Sequence, residues 1–298
     1  MMSSPRKAFI LDFDGTITTK DTISILFDFA LATQASKGRN LTAARDEIIA
    51  NYGKDFSKHV KDYSPAKEER NTLAQEVEYY QNLKGVEIRS FERVSRSGLF
   101  RGISNNEWQE FGRDVVKKGK VVIRNGFSNF VKNVETSGAI WGVASVNFSS
   151  YFIRGVLAGA GVETSRVEVL ANHSDENGIL LGPKTKEGAS VMAASDAKLV
   201  SMKALLNWWR SGPGGHASKV VYIGDSGTDI ECLTEEGTTG IITADNRNSS
   251  LMEMMNRVGV DVQHIDVYQD GKESKVYWAR DFREIVDNSC LMSQQISQ

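Results

Sequence analysis

Ala8-Phe9-Ile10-Leu11-Asp12-Phe13-Asp14-Gly15-Thr16 is the stretch on which the fold turns. Its apolar run ends abruptly in two carboxylates and a glycine, the pattern of a buried strand that opens into a tight loop. Acids at a strand's C-terminal end sit where open α/β sheets place their ligands. Two of them one residue apart can hold a hard cation such as Mg²⁺, which takes carboxylate and carbonyl oxygens and is often shared with a substrate phosphate. One acid can also attack an electrophile while the other moves protons. A strand followed by an acidic turn explains any single pattern of this kind, so the remaining segments carry the decision.

Downstream, from Asp21 to about Lys118, the chain is rich in charge and helix formers, and Leu73, Val77 and Tyr80 fall at helical spacing. This predicts an insert of four or five helices. After Gly119 the pattern turns to alternating helices and strands. Helices are expected at Gly126 to Ser137, Tyr151 to Ala160, Asp196 to Trp209 and Ser250 to Val258. Strands are expected at Ala139 to Ala144, Val167 to Leu170, Lys219 to Ile223 and Gly240 to Thr243. Asp175-Glu176-Asn177-Gly178 reads as a hairpin turn. Ser195 or Asp196 is a plausible N-cap, and the glycines around Pro213 stop that helix. The C-terminal stretch adds a strand near Val260 to Val262 and a helix near Arg280 to Val286, with no chemistry visible in it and disorder expected at its end. Such alternation makes a doubly wound parallel sheet the natural solution.

Composition narrows the function. The chain has 298 residues, 40% hydrophobic and 25% charged, with a formal net charge of −2. There is no basic footprint for nucleic acid and no polybasic membrane patch. Cys232 and Cys290 are too few and too far apart for a disulfide framework or zinc site, and the four histidines lack metal-ligand spacing. No stretch approaches the ~20 apolar residues of a membrane span, and the N-terminus has no secretory h-region. A cytoplasmic setting is the expectation, with no nucleic acid and no membrane as partners. The oligomeric state is unreadable.

Three strand ends carry polar residues: Asp12 with Asp14, Ser145, and Asp225 followed by Asp229. In a parallel sheet all three open onto one edge. At this point the chain resembles the haloacid dehalogenase (HAD) superfamily of phosphohydrolases. The resemblance rests on Asp12-Phe13-Asp14-Gly15-Thr16, on Ser145 after an apolar strand, on a lysine at a helix start, and on Gly224-Asp225-Ser226-Gly227-Thr228-Asp229. It covers about 8–20 and 120–245, and it implies a Rossmann-like core of 1–20 and 120–298 with an all-helical cap of 21–119. It also implies a metal-dependent phosphatase working through an aspartyl-phosphate.

Those roles agree with the chemistry required, because unaided phosphate-monoester hydrolysis is extremely slow and covalent catalysis divides the task. Asp12 is assigned as nucleophile. Asp14 is the acid that protonates the leaving alkoxide and then the base toward water, which needs a raised pKa. Mg²⁺ would be held by the Asp12 carboxylate, the Asp14 carbonyl and Asp225. Asp229 either supports the metal through water or is a first-turn acid on the helix dipole. Ser145 would bond a phosphoryl oxygen, or alternatively cap the next helix. Asn147 and Thr228 are grouped with the phosphate-binding residues, although phosphoserine phosphatases often carry a glycine and an asparagine there. Lys198 and Lys203 both compete for the lysine role, with Lys184 and Lys186 upstream; Lys198 is preferred because it lies in the helix's first turn. Asp21 and Arg93 stand where phosphoserine phosphatases meet the substrate's amine and carboxylate. Each also reads as an N-cap or surface charge. Leu99-Phe100-Arg101-Gly102 resembles a stretch of methionine-salvage phosphatases. A phosphotransferase on the same scaffold, and a non-catalytic phosphate-compound binder, are the alternatives. A dehalogenase is disfavoured by Asp14 and Asp225.

Overall fold

A computed structural model of the chain describes residues 6–183, 190–211, 217–270 and 276–292. The N-terminal Met1 to Pro5, Lys184 and Lys186, the glycine-rich helix stop at 212–215, and the tail at 293–296 lie outside the described residues.

The opening apolar run forms β1 (Arg6–Leu11). Alternation of side chains along a strand sends Phe9 and Leu11 to one face and Ile10 to the other. Accordingly, Phe9 and Leu11 join one apolar cluster with Phe13, Phe130 and Phe152. Ile10 joins a second cluster with Tyr222, Met202 and Leu233. Both faces are covered, which is why the run is apolar without interruption.

The insert follows as α1 (Ile23–Ser36), α2 (Thr42–Asp62), α3 (Leu73–Asn82), α4 (Lys84–Ser97) and α5 (Asn105–Lys117). Thr72 and Gln75 close a capping box on α3, and Ser104 and Glu107 another on α5. The core resumes with α6 (Phe127–Thr136), β2 (Ile140–Ser145), α7 (Ser150–Gly159) and β3 (Glu168–Ala171). A two-stranded hairpin, β4 (His173–Ser174) and β5 (Leu180–Leu181), encloses the predicted turn. Then come α8 (Ser195–Ser211), β6 (Ala217–Gly224), α9 (Ile230–Thr234), β7 (Thr238–Thr243) and α10 (Ser250–Arg257). The chain ends with β8 (Val262–His264), β9 (Val276–Ala279), α11 (Phe282–Asp287) and α12 (Ser289–Met292).

The described strands build a seven-stranded parallel sheet in the order β3-β2-β1-β6-β7-β9-β8. The strand order reverses at β1, which makes its C-terminal end the switch point where such sheets bind ligands. Register completes the placement. Leu11 pairs with Val143 on one side and Ile223 on the other. Asp12, Ser145 and Asp225 therefore leave their strands on the same edge.

Three details differ from the sequence reading. Val276-Tyr277-Trp278-Ala279 is a strand that the reading did not find, inserted between β7 and β8. Four residues are too short for periodicity to separate a strand from a loop. Ser195 is helical rather than a cap, and its hydroxyl donates to Glu231 at 2.6 Å. Within the insert, α5 lies directly on the core helix α7. A Cβ at Gly112 would fall 2.4 Å from the Phe152 carbonyl oxygen, and one at Gly155 would fall 2.1 Å from that of Gln109. Glycine on both helices permits this close crossing.

Candidate active site

Asp12 emerges from the middle of the sheet almost wholly buried. Its Oδ2 lies 2.9 Å from the ammonium of Lys198. Its Oδ1 is buried without a hydrogen-bond partner. An unpaired carboxylate oxygen carries a desolvation cost that a ligand removes, so this atom marks where a ligand arrives. Burial pushes the Asp12 carboxyl up to about 6, against the pull of Lys198 and with help from Asp229.

Asp14 sits in a different environment. Its Oδ1 accepts the backbone N–H and hydroxyl of Thr22 at 2.9 and 2.7 Å, and its Oδ2 accepts the Asn147 amide at 2.7 Å. Burial raises its pKa to about 7, the Asp21 charge adds to this, and the Asn147 and Thr22 hydrogen bonds oppose it. A carboxyl that changes protonation near neutrality is suited to give and take a proton.

The loop between them is held open by Gly15, whose φ of +73° places it in the left-handed region. A Cβ there would lie 2.1 Å from Asp225 Oδ2. Arg124 fastens the loop from behind through the carbonyls of Thr16, at 3.1 Å, and Gly15.

Lys198 is fully buried in the first turn of α8. Its three protons reach Asp12, Asp229 at 2.7 Å and the Thr228 hydroxyl at 3.2 Å. Burial alone would lower its pKa, yet the Asp12 and Asp229 carboxylates hold it above the ordinary lysine range. Lys203 is half exposed and pairs with Glu235 at 2.7 Å, away from the strand ends.

Asp229 belongs to neither of the two expected roles in simple form. Its Oδ1 accepts Lys198 and the Tyr222 hydroxyl, the latter at 2.6 Å. Its Oδ2 accepts the N–H groups of Asp225 and Ser226 at 3.1 and 3.0 Å. It organises the loop after β6 while lying in one carboxylate group with Asp12 and Asp225. Asp225 accepts the Thr16 hydroxyl at 3.0 Å, and burial beside Asp12 and Asp229 raises its pKa well above the usual carboxylate range.

This group of three carboxylates faces one ammonium, an excess of negative charge that burial makes costly. Oxygen donors, close approach and an unpartnered Asp12 Oδ1 together fit a hard divalent cation.

Ser145 ends β2 fully buried, and its hydroxyl accepts the Asn147 N–H at 3.3 Å. It does not cap α7, whose N-cap is Ser149. Asn147 is engaged within the protein: its side-chain N–H groups donate to Asp14 and Thr22, and its Oδ1 accepts the Ser149 N–H at 3.0 Å. A glycine in its place would leave Asp14 without that donor. Arg93 is bonded to Asp55 of α2, leaves Nη1 buried without a partner, and is not among the cavity-lining residues. Asp21 does line the cavity and also accepts the Ile23 N–H at 2.8 Å.

A cavity of about 620 Å³ covers these residues. Its floor includes Asp12, Asp14, Ser145, Asp225 and Thr228, and its roof comes from α1, α2 and α4. Sequence reasoning missed Thr16, Thr22 and Tyr222, which orient Asp225, Asp14 and Asp229 in turn, and Asn172, whose amide ties the loop after β2 to Met192 before α8. Nothing in their local spacing signals these roles. It also missed Tyr52 and Glu87 of the roof.

No protein-family profile matches the chain. It is 27% identical over 183 residues to Cold tolerance protein 1 of Saccharomyces cerevisiae, covering 57% of this chain and 54% of that protein. It is 24% identical over 267 residues to the CTO1 family protein C17G9.12c of Schizosaccharomyces pombe, covering 87% and 88%. The chain thus spans about half the length of the first relative and most of the second. Among solved structures, a conserved functionally unknown protein from Anaerococcus prevotii superposes with a TM-score of 0.53 at 14% identity, over 92% of this chain and 85% of that one. Cytosolic 5'-nucleotidase IIIB bound to cytidine gives a TM-score of 0.50 at 16% identity, over 85% and 78%. Strand order and superposition agree, and the chain has a haloacid dehalogenase phosphatase-like fold.

Proposed function

We propose that this protein is a Mg²⁺-dependent phosphatase for a small phosphorylated metabolite, acting through an aspartyl-phosphate on Asp12. The observation that carries this reading is the pairing of Asp12, which has one oxygen on Lys198 and one unpartnered oxygen at the floor of a cavity, with Asp14 titrating near neutrality beside it.

In the first step a carboxylate oxygen of Asp12 bonds to phosphorus while the bond to the leaving oxygen breaks. Asp14, protonated, delivers its proton to that oxygen, so the alcohol departs neutral. In the second step Asp14, now ionised, takes a proton from water as the water oxygen bonds to phosphorus, and the Asp12 carboxylate is released with inorganic phosphate. Thr22 and Asn147 hold the Asp14 carboxyl in place throughout. Ser145 and Thr228 line the cavity as donors for phosphoryl oxygens, and Lys198 stands behind them, holding one oxygen of Asp12, and would have to leave a present partner to reach the phosphoryl group. Asp12 and Asp225, with the Asp14 carbonyl, would hold Mg²⁺, which supplies positive charge against the phosphoryl oxygens. The segment 21–119 acts as the cap, with α1, α2 and α4 excluding water.

The test is turnover of p-nitrophenyl phosphate by the purified chain. Activity should require Mg²⁺, disappear with chelator, and fall by roughly 10⁴-fold or more in Asp12→Asn. Turnover that survives either treatment contradicts the proposal.

A further inference from the structure

The wall of the cavity facing Asp12 has a composition that the phosphoryl chemistry does not use. Ile23 and Phe27 of α1, Ile48 of α2, Phe91 of α4 and Phe148 make it largely apolar. Phe148 packs against both Phe91 and Phe27, with ring centroids 4.9 and 6.0 Å away. Set into this surface is the half-buried carboxylate of Glu87, which accepts the Tyr52 hydroxyl at 2.9 Å. Among the described residues, no cation is paired with Glu87, and no Lys or Arg lines the cavity. The arginines of the same helix, Arg89 and Arg93, both pair with Asp55, and neither lines the cavity. Asp21 adds a second negative charge to the lining.

A carboxylate held among aromatic and aliphatic side chains without a cation is incomplete. The unpartnered Asp12 Oδ1 in the same cavity shows independently that a ligand is received here. We propose that the phosphate ester accepted by this site has an amine-bearing, partly apolar alcohol as its leaving group, with its ammonium received by Glu87 and the Tyr52 ring. This rests on the phosphatase reading and sets its substrate class. An ammonium completes the Glu87 charge and is attracted to aromatic faces. A carboxylate-bearing leaving group would instead bring an anion to Glu87 and Asp21 with no cation to meet it, and is rejected. Burial pushes the Glu87 carboxyl up while the Tyr52 hydroxyl opposes the rise, so a bound cation also settles its ionised form.

The experiment compares four probes with Mg²⁺: p-nitrophenyl phosphate, phosphocholine, the neutral isostere of phosphocholine with carbon in place of nitrogen, and phosphoglycerate. The expected result is a kcat/KM for phosphocholine at least about tenfold above its isostere, and further above phosphoglycerate. Glu87→Gln should bring the phosphocholine-to-isostere ratio close to one, and Glu87→Asp should keep part of it. Equal use of the isostere, preference for phosphoglycerate, or an unchanged ratio in Glu87→Gln overturns the proposal. Should Glu87→Gln fail to fold, the wild-type ratios decide. Turnover of p-nitrophenyl phosphate without amine preference overturns this inference and leaves the phosphatase reading standing. No turnover of any probe overturns both.

Discussion

Asp12 and Asp14 are chemically identical side chains two residues apart, and their surroundings give them different work. One faces Lys198 and keeps an oxygen unpaired; the other is gripped by Thr22 and Asn147 with a pKa raised to about 7. Asp14 acts as an acid only when the leaving group needs a proton, but as the base toward water it serves every ester. In single turnover, Asp14→Asn should therefore slow the first step, phosphoryl transfer to Asp12, roughly 100-fold or more with an alkyl phosphate and far less with p-nitrophenyl phosphate, whose leaving group departs as an anion. In the wild type, kcat on the alkyl ester should decline above about pH 7 as Asp14 loses its proton. Equal slowing of that first step with both esters in Asp14→Asn would remove Asp14 from the acid role. The convergence of Asp12, Asp14, Ser145, Lys198, Asp225 and Asp229 at one edge of the sheet was legible in the sequence because each sits beside a strand end or helix start. The Asn147 role was not, because whether its amide meets a phosphate or a carboxylate depends on Thr22 and Asp14, distant in sequence.

At the scale of elements, the strands and helices of the core were readable because both faces of the sheet are buried, which writes continuous apolar runs into β1, β2 and β6. β9 is just as buried on both faces, but it was missed because four residues are too few for an apolar run to be told from a loop. The helices of the insert were legible by periodicity, but not what fastens them. Glu76 of α3 is fully buried and takes Arg70 at 2.8 Å and Arg257 of α10 at 2.6 Å, while Arg70 stacks 4.0 Å over Tyr79. Lys84 to Asp196, at 2.7 Å, and Gln81 to Glu231, at 2.8 Å, hold the same side of the insert to α8 and α9. Removing one partner of a buried ion pair strands the other. Glu76→Met leaves Arg70 and Arg257 without their shared carboxylate and should cost roughly 3 kcal/mol in urea unfolding. A cost below about 0.5 kcal/mol, the range of ordinary surface substitutions, would show that the cluster does not hold the insert to the core.

For the whole molecule, the charge excess at the sheet's edge couples stability to pH and metal. The folded pKa values of Asp12, about 6, and Asp14, about 7, lie above the ordinary aspartate value of 3.8, and that of Asp225 is also raised. Over this interval the folded state holds more protons than the unfolded chain, so the stability these groups contribute is present at acid pH and lost as pH rises through about 7. A cation that replaces those protons should then stabilise more where they are absent. At a concentration hundredfold above its Kd, Mg²⁺ should add about 2.7 kcal/mol at pH 8, with a much smaller rise in Tm at pH 5. Equal shifts at the two pH values would disconnect the metal from these carboxylates. The central claim, that Asp12 itself takes the phosphoryl group, is reached most directly by acid-quenching the chain during turnover of acetyl phosphate and mapping the modified peptide by mass spectrometry. The account predicts one phosphoryl group on the peptide holding Asp12, dependent on Mg²⁺ and absent in Asp12→Asn. Turnover with no modification at Asp12, or a phosphoryl group on another residue, would contradict it.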